Sequence, residues 1–183
     1  MSRLRRLMMM QGSIGESPEF IEFRYDKYVV TGAKMNSELK VSLKIRFHQP
    51  TNLSCIIGRW SYTKFEIGIH DYKWNMRDFY NDDRIDIPYS VLKVGNVIEI
   101  VKDKNLTYFD GILKAEHPTA QFNVDASVFI GSNNVTLNAD VYSFALWQDD
   151  ALIDEYLPYV VDGKEYFRGK NTGKLLEVLT INK

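Results

Sequence analysis

Apolar and polar residues alternate strictly in the most regular stretch of the chain. From Leu39 to Phe47 every second residue is apolar, and Lys, Ser or Arg stands between them. A period of two is typical of a β-strand that buries one face and exposes the other to water. The sequence therefore predicts an amphipathic strand over residues 39–47.

Two further segments repeat this alternation. In residues 64–69 it turns Phe65, Ile67 and Ile69 inward and Glu66 outward. In residues 140–147 it places Tyr142, Phe144 and Leu146 on one face of the strand and Ser143 and Ala145 on the other. Shorter apolar runs predict strands near residues 19–25, 27–32, 53–58, 96–102, 106–111, 127–132, 151–157, 164–167 and 175–181.

Turn-forming residues separate these runs. They cluster at residues 32–37, 49–52, 93–96, 110–111 and 131–134, and the Asp-Gly pair at 110–111 is a tight hairpin signal. No segment sustains the 3.6-residue period of a helix, and residues 72–84 are expected to form a helical turn or a long loop. The pattern predicts an all-β fold, an antiparallel two-sheet β-sandwich or jelly roll.

The length and composition fit one such domain. A chain of 183 residues suits a single core rather than two. We expect an N-terminal arm over residues 1–17 and one β-sandwich domain over residues 18–183. Aromatic residues make up 13% of the chain, which suits strands and leaves rings for a binding surface.

The charge of the chain argues against nucleic acid and membrane as partners. The net charge is −1, so no overall field draws the protein to either. The run MSRLRRLMMM is basic, but its apolar part is too short for a signal peptide, which needs about 7–15 apolar residues, or for a membrane span. The single cysteine, Cys55, excludes an internal disulfide and is expected to be buried.

Two blocks of the chain resemble the laminin-G/concanavalin A-like jelly-roll domains of bacteriophage and prophage structural proteins. The first block is EFIEFRYDKYVVTG at residues 19–32 with the strand at 39–47, although FRYD at 23–26 departs from the pattern. The second block comprises VYSFALW at 141–147, ALIDEYLP at 151–158, DGKEYFR at 162–168 and NTG at 171–173. The weaker match NLTYFDGIL at 105–113 lies between them.

The resemblance implies a concanavalin-like jelly roll in a bacteriophage virion structural protein, such as a capsid-decorating, head-fibre or tail/baseplate component. The basic residues Arg3, Arg5 and Arg6 would then anchor the arm on other virion proteins, and a homo-oligomer is expected. The protein would be made in the bacterial cytoplasm and reside in the virion. The alternatives are an arm that is disordered, and a domain located on the bacterial cell surface.

The sequence contains no recognisable set of catalytic residues, so we expect that the protein is not an enzyme and binds no cofactor. Glycosidases of this fold carry paired carboxylates, commonly as Glu-x-Asp-x-x-Glu on one strand, and that run is absent from the sequence. The acidic clusters at 81–83 and 149–150 are expected in turns, and Asp154-Glu155 at the end of a strand. His48, His70 and His117 lack metal-ligand spacing, and we expect His48 and His117 at the surface.

The sequence assigns no metal site, and a calcium site is kept as an alternative. Laminin-G domains often bind calcium at a sheet rim, where six or more oxygen ligands are needed. The acidic loop residues that are candidates for this role are Asp71, Asp82, Asp83, Asp149 and Asp150.

The strongest candidate for a binding site is an aromatic segment between residues 60 and 75. Sugars stack on aromatic rings while nearby amides and carboxylates bind their hydroxyls. The alternative is that these rings close the end of the core. The predicted glycan site comprises Trp60, Asp71, Tyr72, Trp74 and Asn75.

Three functions follow from these observations. The first is a non-enzymatic virion protein that displays a lectin-like domain, with host or environmental glycans as candidate ligands. The second is a stand-alone bacterial carbohydrate-binding module. The third, a glycoside hydrolase, lacks its carboxylates.

Overall fold

The computed structural model describes residues 15–24, 27–48, 54–58, 64–69, 75–131 and 137–180. These residues form fifteen strands and one 3-10 turn at Tyr89–Leu92. The strands are β1 Ile21–Phe23, β2 Lys27–Asn36, β3 Leu39–Phe47, β4 Ser54–Gly58, β5 Phe65–Ile69, β6 Asn75–Tyr80, β7 Asp83–Pro88, β8 Val97–Asp103, β9 Leu106–Phe109, β10 Ile112–Glu116, β11 Asn123–Gly131, β12 Ala139–Gln148, β13 Ala151–Val161, β14 Lys164–Gly169 and β15 Leu175–Thr180.

The strands form two sheets, and all pairings between the described strands are antiparallel. The front sheet has the order β10-β9-β8-β3-β12-β13-β14, and the back sheet has the order β15-β2-β11-β4-β5-β6-β7. The short strand β1 also pairs with β12. The chain crosses repeatedly between the sheets, which confirms the predicted all-β, two-sheet jelly roll.

The two sheets continue into each other on one side and approach each other on the other. The β14–β15 hairpin joins the front sheet to the back sheet, and β10 lies near β7 at the opposite edges. The sandwich is therefore close to a closed, flattened barrel, which leaves little free strand edge.

Alternating residues of both sheets fill one core. The inward face of β3 is fully buried from Leu39 to Phe47, as predicted. An aromatic group adds to it: the ring centroids of Phe144 and Tyr156 are 4.9 Å apart, and Phe167 lies 5.1 Å from Phe144. Much of the high aromatic content therefore stabilises the interior rather than a surface.

A polar cluster crosses this core between β8 and β6. Nζ of Lys102 lies 2.5 Å from Oδ1 of Asp78 on the opposite sheet, and both side chains are 0% exposed. Nε2 of His117 lies 3.3 Å from Oδ2 of Asp78, and its Nδ1 lies 2.8 Å from Oδ2 of Asp83. Burial by itself raises the pKa of the Asp78 carboxyl, but Lys102 and the facing His117 and Thr107 side chains hold this pKa below its usual range.

This cluster explains two predictions that were wrong. Residues 72–84 were expected to be irregular, but residues 75–80 and 83–88 form the β6–β7 hairpin. The alternation of β6 is hidden because Asp78 occupies a core position, where Lys102 compensates its charge. His117 was expected at the surface, yet it is buried because both of its nitrogens face carboxylates.

Three other local predictions were also wrong. The register of β12 shifts between Val141 and Ser143, so Tyr142 leaves the core face and packs on Phe20. Glu66 is buried, although the alternation placed it in water. Residues 32–36 continue β2 instead of turning, with Gly32 at a φ of 79°.

The acidic pairs show where turn chemistry was predictable. Asn81-Asp82, Asp149-Asp150 and Asp110-Gly111 form hairpin turns with positive φ angles, as expected. Asp154-Glu155 does not end a strand, because β13 continues through Pro158 to Val161. Cys55 is buried as predicted.

Candidate functional site

Most of the predicted site falls outside the described residues. This applies to the glycan-site residues Trp60, Asp71, Tyr72 and Trp74 and to the arm residues Arg3, Arg5 and Arg6. Asn75 is the first residue of β6, but the structure describes only its backbone. These assignments stay predictions.

The described acidic residues considered for calcium each have other partners nearby. Asp82 pairs with Lys64, and Asp83 with His117. Asp150 pairs with Lys104, with 3.1 Å between the charged atoms. Asp149 accepts a hydrogen bond from Gln148, and Asp71 lies outside the described residues. The contacts therefore favour charge pairing in two separate hairpins over a common calcium site.

A different set of possible metal ligands meets on β1, β12 and the end of β3. Single ligand atoms of Glu22, His48 and Asp140 lie within 4.8 Å of one another. However, Oδ2 of the buried Asp140 accepts hydrogen bonds from the Arg46 guanidinium, and Oδ1 lies 2.7 Å from Nε2 of His48. Because Arg46 already neutralises Asp140, this cluster is explained without a cation.

A hollow centred on a tryptophan lies on the outer face of the front sheet. Strand β12 turns Ser143, Ala145 and Trp147 outward, because Phe144 and Leu146 face the core. The half-buried Trp147 thus stands at a position that faces water. The hollow has a volume of about 190 Å³. Its walls are formed by Ser42, Lys44, Glu99, Ser143, Phe144, Ala145, Trp147, Leu152 and Glu155; we call it the Trp147 hollow.

The register of the front sheet brings these polar groups together. Lys44 on β3 lies between Ser143 on β12 and Glu99 on β8. The hydroxyl of Ser42 donates a hydrogen bond of 2.7 Å to Oε1 of Glu99. Nζ of Lys40 lies 5.4 Å from the centroid of the Trp147 ring. A ring on a rigid sheet beside hydroxyl, amine and carboxylate groups can stack and hydrogen-bond a polyhydroxylated ligand.

A second hollow adjoins the first across β13. Its volume is about 390 Å³, and we call it the Arg168 hollow. It is lined by Ser17, Leu157, Pro158, Arg168, Gly169, Lys170, Asn171, Thr172 and Gly173. Nζ of Lys170 in this hollow lies 3.0 Å from Oε2 of Glu155 in the first, so the two hollows meet at this ion pair.

The turn that borders the Arg168 hollow is held by a buried carboxylate. Asp154 accepts hydrogen bonds from the backbone N–H groups of Glu155, Asn171 and Thr172 at 2.9–3.2 Å, and from the Thr172 hydroxyl. Burial opposes the charge of Asp154, but these donors hold the pKa of its carboxyl below the usual range. The turn is therefore fixed before any ligand arrives.

Sequence reasoning missed both hollows. The available signal was the parity of β12: once Phe144 and Leu146 are placed inward, Trp147 must face water, where a large aromatic side chain is unusual. Density of aromatic residues pointed instead to the segment between Trp60 and Trp74. The Arg168 hollow depends on pairing between β13 and β14, which no local pattern specifies.

Comparison with known proteins identifies the fold. No family model matches the chain, and no curated protein is significantly similar to it. Among solved structures, a candidate carbohydrate-binding protein from Bacteroides ovatus ATCC 8483 is similar with a TM-score of 0.61 at 11% identity. The match covers 91% of this chain and 60% of that protein, so the chain spans less than two thirds of its length.

A second solved structure, domains LG4-5 of the mouse laminin alpha1 chain, aligns with a TM-score of 0.48 at 10% identity, over 94% of this chain and 72% of that one. At its low identity, the Bacteroides match extends to the fold alone, and it agrees with the two-sheet jelly roll of this chain. Among the described residues, no helix has the length and hydropathy needed to cross a bilayer.

Proposed function

We propose that this protein is a non-enzymatic carbohydrate-binding domain and that the Trp147 hollow is its sugar site. The observation that carries the proposal is Trp147 itself, an indole that faces outward from a strand whose other face is buried. The fold shared with a candidate carbohydrate-binding protein supports the same class of ligand.

The chemistry of the hollow fits a sugar. A pyranose has an apolar C–H face that packs on an indole, and burial contributes about 25 cal/mol per Å², so about 60 Å² of contact is worth about 1.5 kcal/mol. Ser42, Ser143 and Glu99 offer hydroxyl and carboxylate groups beside the ring. Each hydrogen bond to a sugar hydroxyl adds about 0.5–1.5 kcal/mol net.

Both carboxylates of the hollow already have partners. Glu155 is paired with Lys170, and Glu99 accepts a hydrogen bond from the Ser42 hydroxyl. This arrangement supports binding without turnover.

The proposal is tested by glycan-array binding followed by affinity measurements on the positive glycans. Trp147→Ala is expected to weaken binding tenfold or more, about 1.4 kcal/mol, with a melting temperature within a few degrees of the wild type. Tyr108→Ala is the control, because Tyr108 is half-buried on β9 and does not line the hollow. Unchanged affinity in Trp147→Ala refutes this site.

One alternative outcome would relocate the site. If Trp74→Ala abolishes binding and Trp147→Ala does not, the sugar binds in the aromatic segment predicted from sequence. If no glycan binds, the carbohydrate-binding function itself is wrong.

The setting of the domain is a separate proposal, supported by the sequence resemblance to phage structural proteins. We propose that the domain is displayed on a virion, with Arg3, Arg5 and Arg6 contacting other virion proteins; the alternative is a stand-alone bacterial module. Mass spectrometry of virions purified from a producing strain should detect the protein in stoichiometric amounts. Its absence from particles, with recovery from bacterial cells, would favour the alternative.

A further inference from the structure

We propose that the Arg168 hollow binds the carboxylate of a uronic acid residue, so that the ligand of this domain is an acidic polysaccharide. This inference rests on the proposed carbohydrate-binding function and specifies its ligand class.

The first argument is the open guanidinium of Arg168. Arg24, Arg46 and Arg84 each pair with a carboxylate. Arg168 makes no ion pair within the described part of the chain; its guanidinium carbon lies 5.3 Å from the ring centroid of Tyr159. A guanidinium beside an aromatic ring keeps its N–H edge available for a planar carboxylate, which it binds through two parallel hydrogen bonds.

The second argument is the preorganised turn. The N–H groups of residues 169–174 all donate within the protein: to Asp154 from Asn171 and Thr172, and otherwise to backbone carbonyls or the Thr172 hydroxyl. The backbone is thus fully engaged, and a ligand must be recognised by side chains. Arg168 and the Asn171 amide line the hollow as donors.

The third argument is the balance of charge. Lys170 is compensated by Glu155, and Asp154 is buried behind the turn with its oxygens occupied. Arg168 therefore supplies an uncompensated positive charge at the hollow. Leu157, which is 40% exposed, and Pro158 form an apolar wall beside it. One planar cation beside an apolar wall fits a sugar ring with a planar carboxylate better than it fits a sulfate, whose three oxygens call for more donors.

The geometry also connects the two hollows. Leu152 pairs with Trp147, and Leu157 pairs with Arg168. Two strand spacings and five residues along β13 separate Trp147 from Arg168, a diagonal of about 19 Å. A short oligosaccharide spans this distance, stacking on Trp147 at one end and pairing with Arg168 at the other.

The test compares polygalacturonate with a neutral galactan and a sulfated galactan by affinity electrophoresis. Wild type is expected to bind polygalacturonate at least tenfold more tightly than the neutral polymer. Arg168→Gln should remove this preference. The matched control Arg84→Gln removes the same charge from β7 on the back sheet and should retain it. Loss of the preference in both variants, or in neither, overturns the proposal.

The remaining outcomes separate this proposal from the proposed function. Neutral binding that depends on Trp147, without a preference for polygalacturonate in the wild type, leaves the sugar site intact and refutes the uronate subsite. A sulfated polymer that binds through Arg168 while polygalacturonate does not refutes the carboxylate assignment. Titration with monomeric galacturonate, followed at the Nε–H resonance of Arg168 by NMR, needs no polymer binding; an unmoved resonance also refutes the subsite.

Discussion

Replacing Lys102 by methionine should destabilise the domain strongly at neutral pH. The variant keeps the length and apolar stem of the side chain but removes the ammonium that lies 2.5 Å from Asp78. Both side chains are fully buried, so the Asp78 carboxylate loses its main compensating charge in a site that water does not reach. Removing one partner of such a pair costs about 3–5 kcal/mol.

The pH dependence has a definite sign. In the wild type the pKa of Asp78 is held below its usual range, so its contribution to stability is present above the unfolded pKa of about 3.9 and is lost as the pH falls through the lower folded value. Without Lys102, burial raises the folded pKa of Asp78. Protonation then relieves the variant at a pH where the wild type still holds the charge. The difference in stability should therefore shrink as the pH falls from 7 towards 4.

Urea unfolding followed by circular dichroism at several pH values measures this difference. Lys93→Met is the matched control, because the Lys93–Asp110 pair has the same 2.5 Å separation but is solvent-exposed; its loss should cost less than about 1 kcal/mol. A Lys102→Met variant that loses no more than this control, or whose loss is independent of pH, would refute the reasoning about the buried pair.

Three further predictions concern other parts of the fold. Asp154→Ala should lower stability by about 1–3 kcal/mol, because it leaves the N–H groups of Glu155, Asn171 and Thr172 without their acceptor; denaturation that matches the wild type would contradict this. Burial, with a smaller effect of the Glu66 carboxylate, raises the pKa of Cys55 well above its usual range, so a thiol reagent at pH 8 should modify it only upon unfolding. The wild type and the variants Glu99→Gln and Glu155→Gln should all fail to hydrolyse glycans, because we expect no hydrolytic activity in the wild type; glycan turnover that is present in the wild type and vanishes in either variant would show an enzyme.

The fold could be predicted from the sequence more completely than the binding site. Strict alternation in β3 predicted both the strand and its buried face, because a period of two directly reports a strand with one dry side. Alternation did not predict the burial of Asp78 or the outward position of Tyr142. Asp78 lies in the core because Lys102 on the other sheet compensates its charge, and Tyr142 leaves the core face because of a bulge in β12.

The candidate site was harder to predict for the same reason. Trp147, Glu99 and Glu155 are far apart in the chain and meet only through the order of strands in the front sheet. Local aromatic density favoured Trp60 and Trp74, whose role stays a prediction. Arg168 carried no sequence signal, because an unpaired arginine is recognisable only once the carboxylates around it have positions.

The most direct test of the central claim is an NMR titration of the tryptophan side chains. The protein has three tryptophans, so its spectrum should contain three indole N–H resonances, and Trp147→Phe assigns one of them. Titration with a glycan selected on the array should shift the Trp147 resonance in a saturable manner. A shift confined to Trp60 and Trp74, with the Trp147 resonance unmoved at saturation, would contradict the proposal that sugar binds on the outer face of the front sheet.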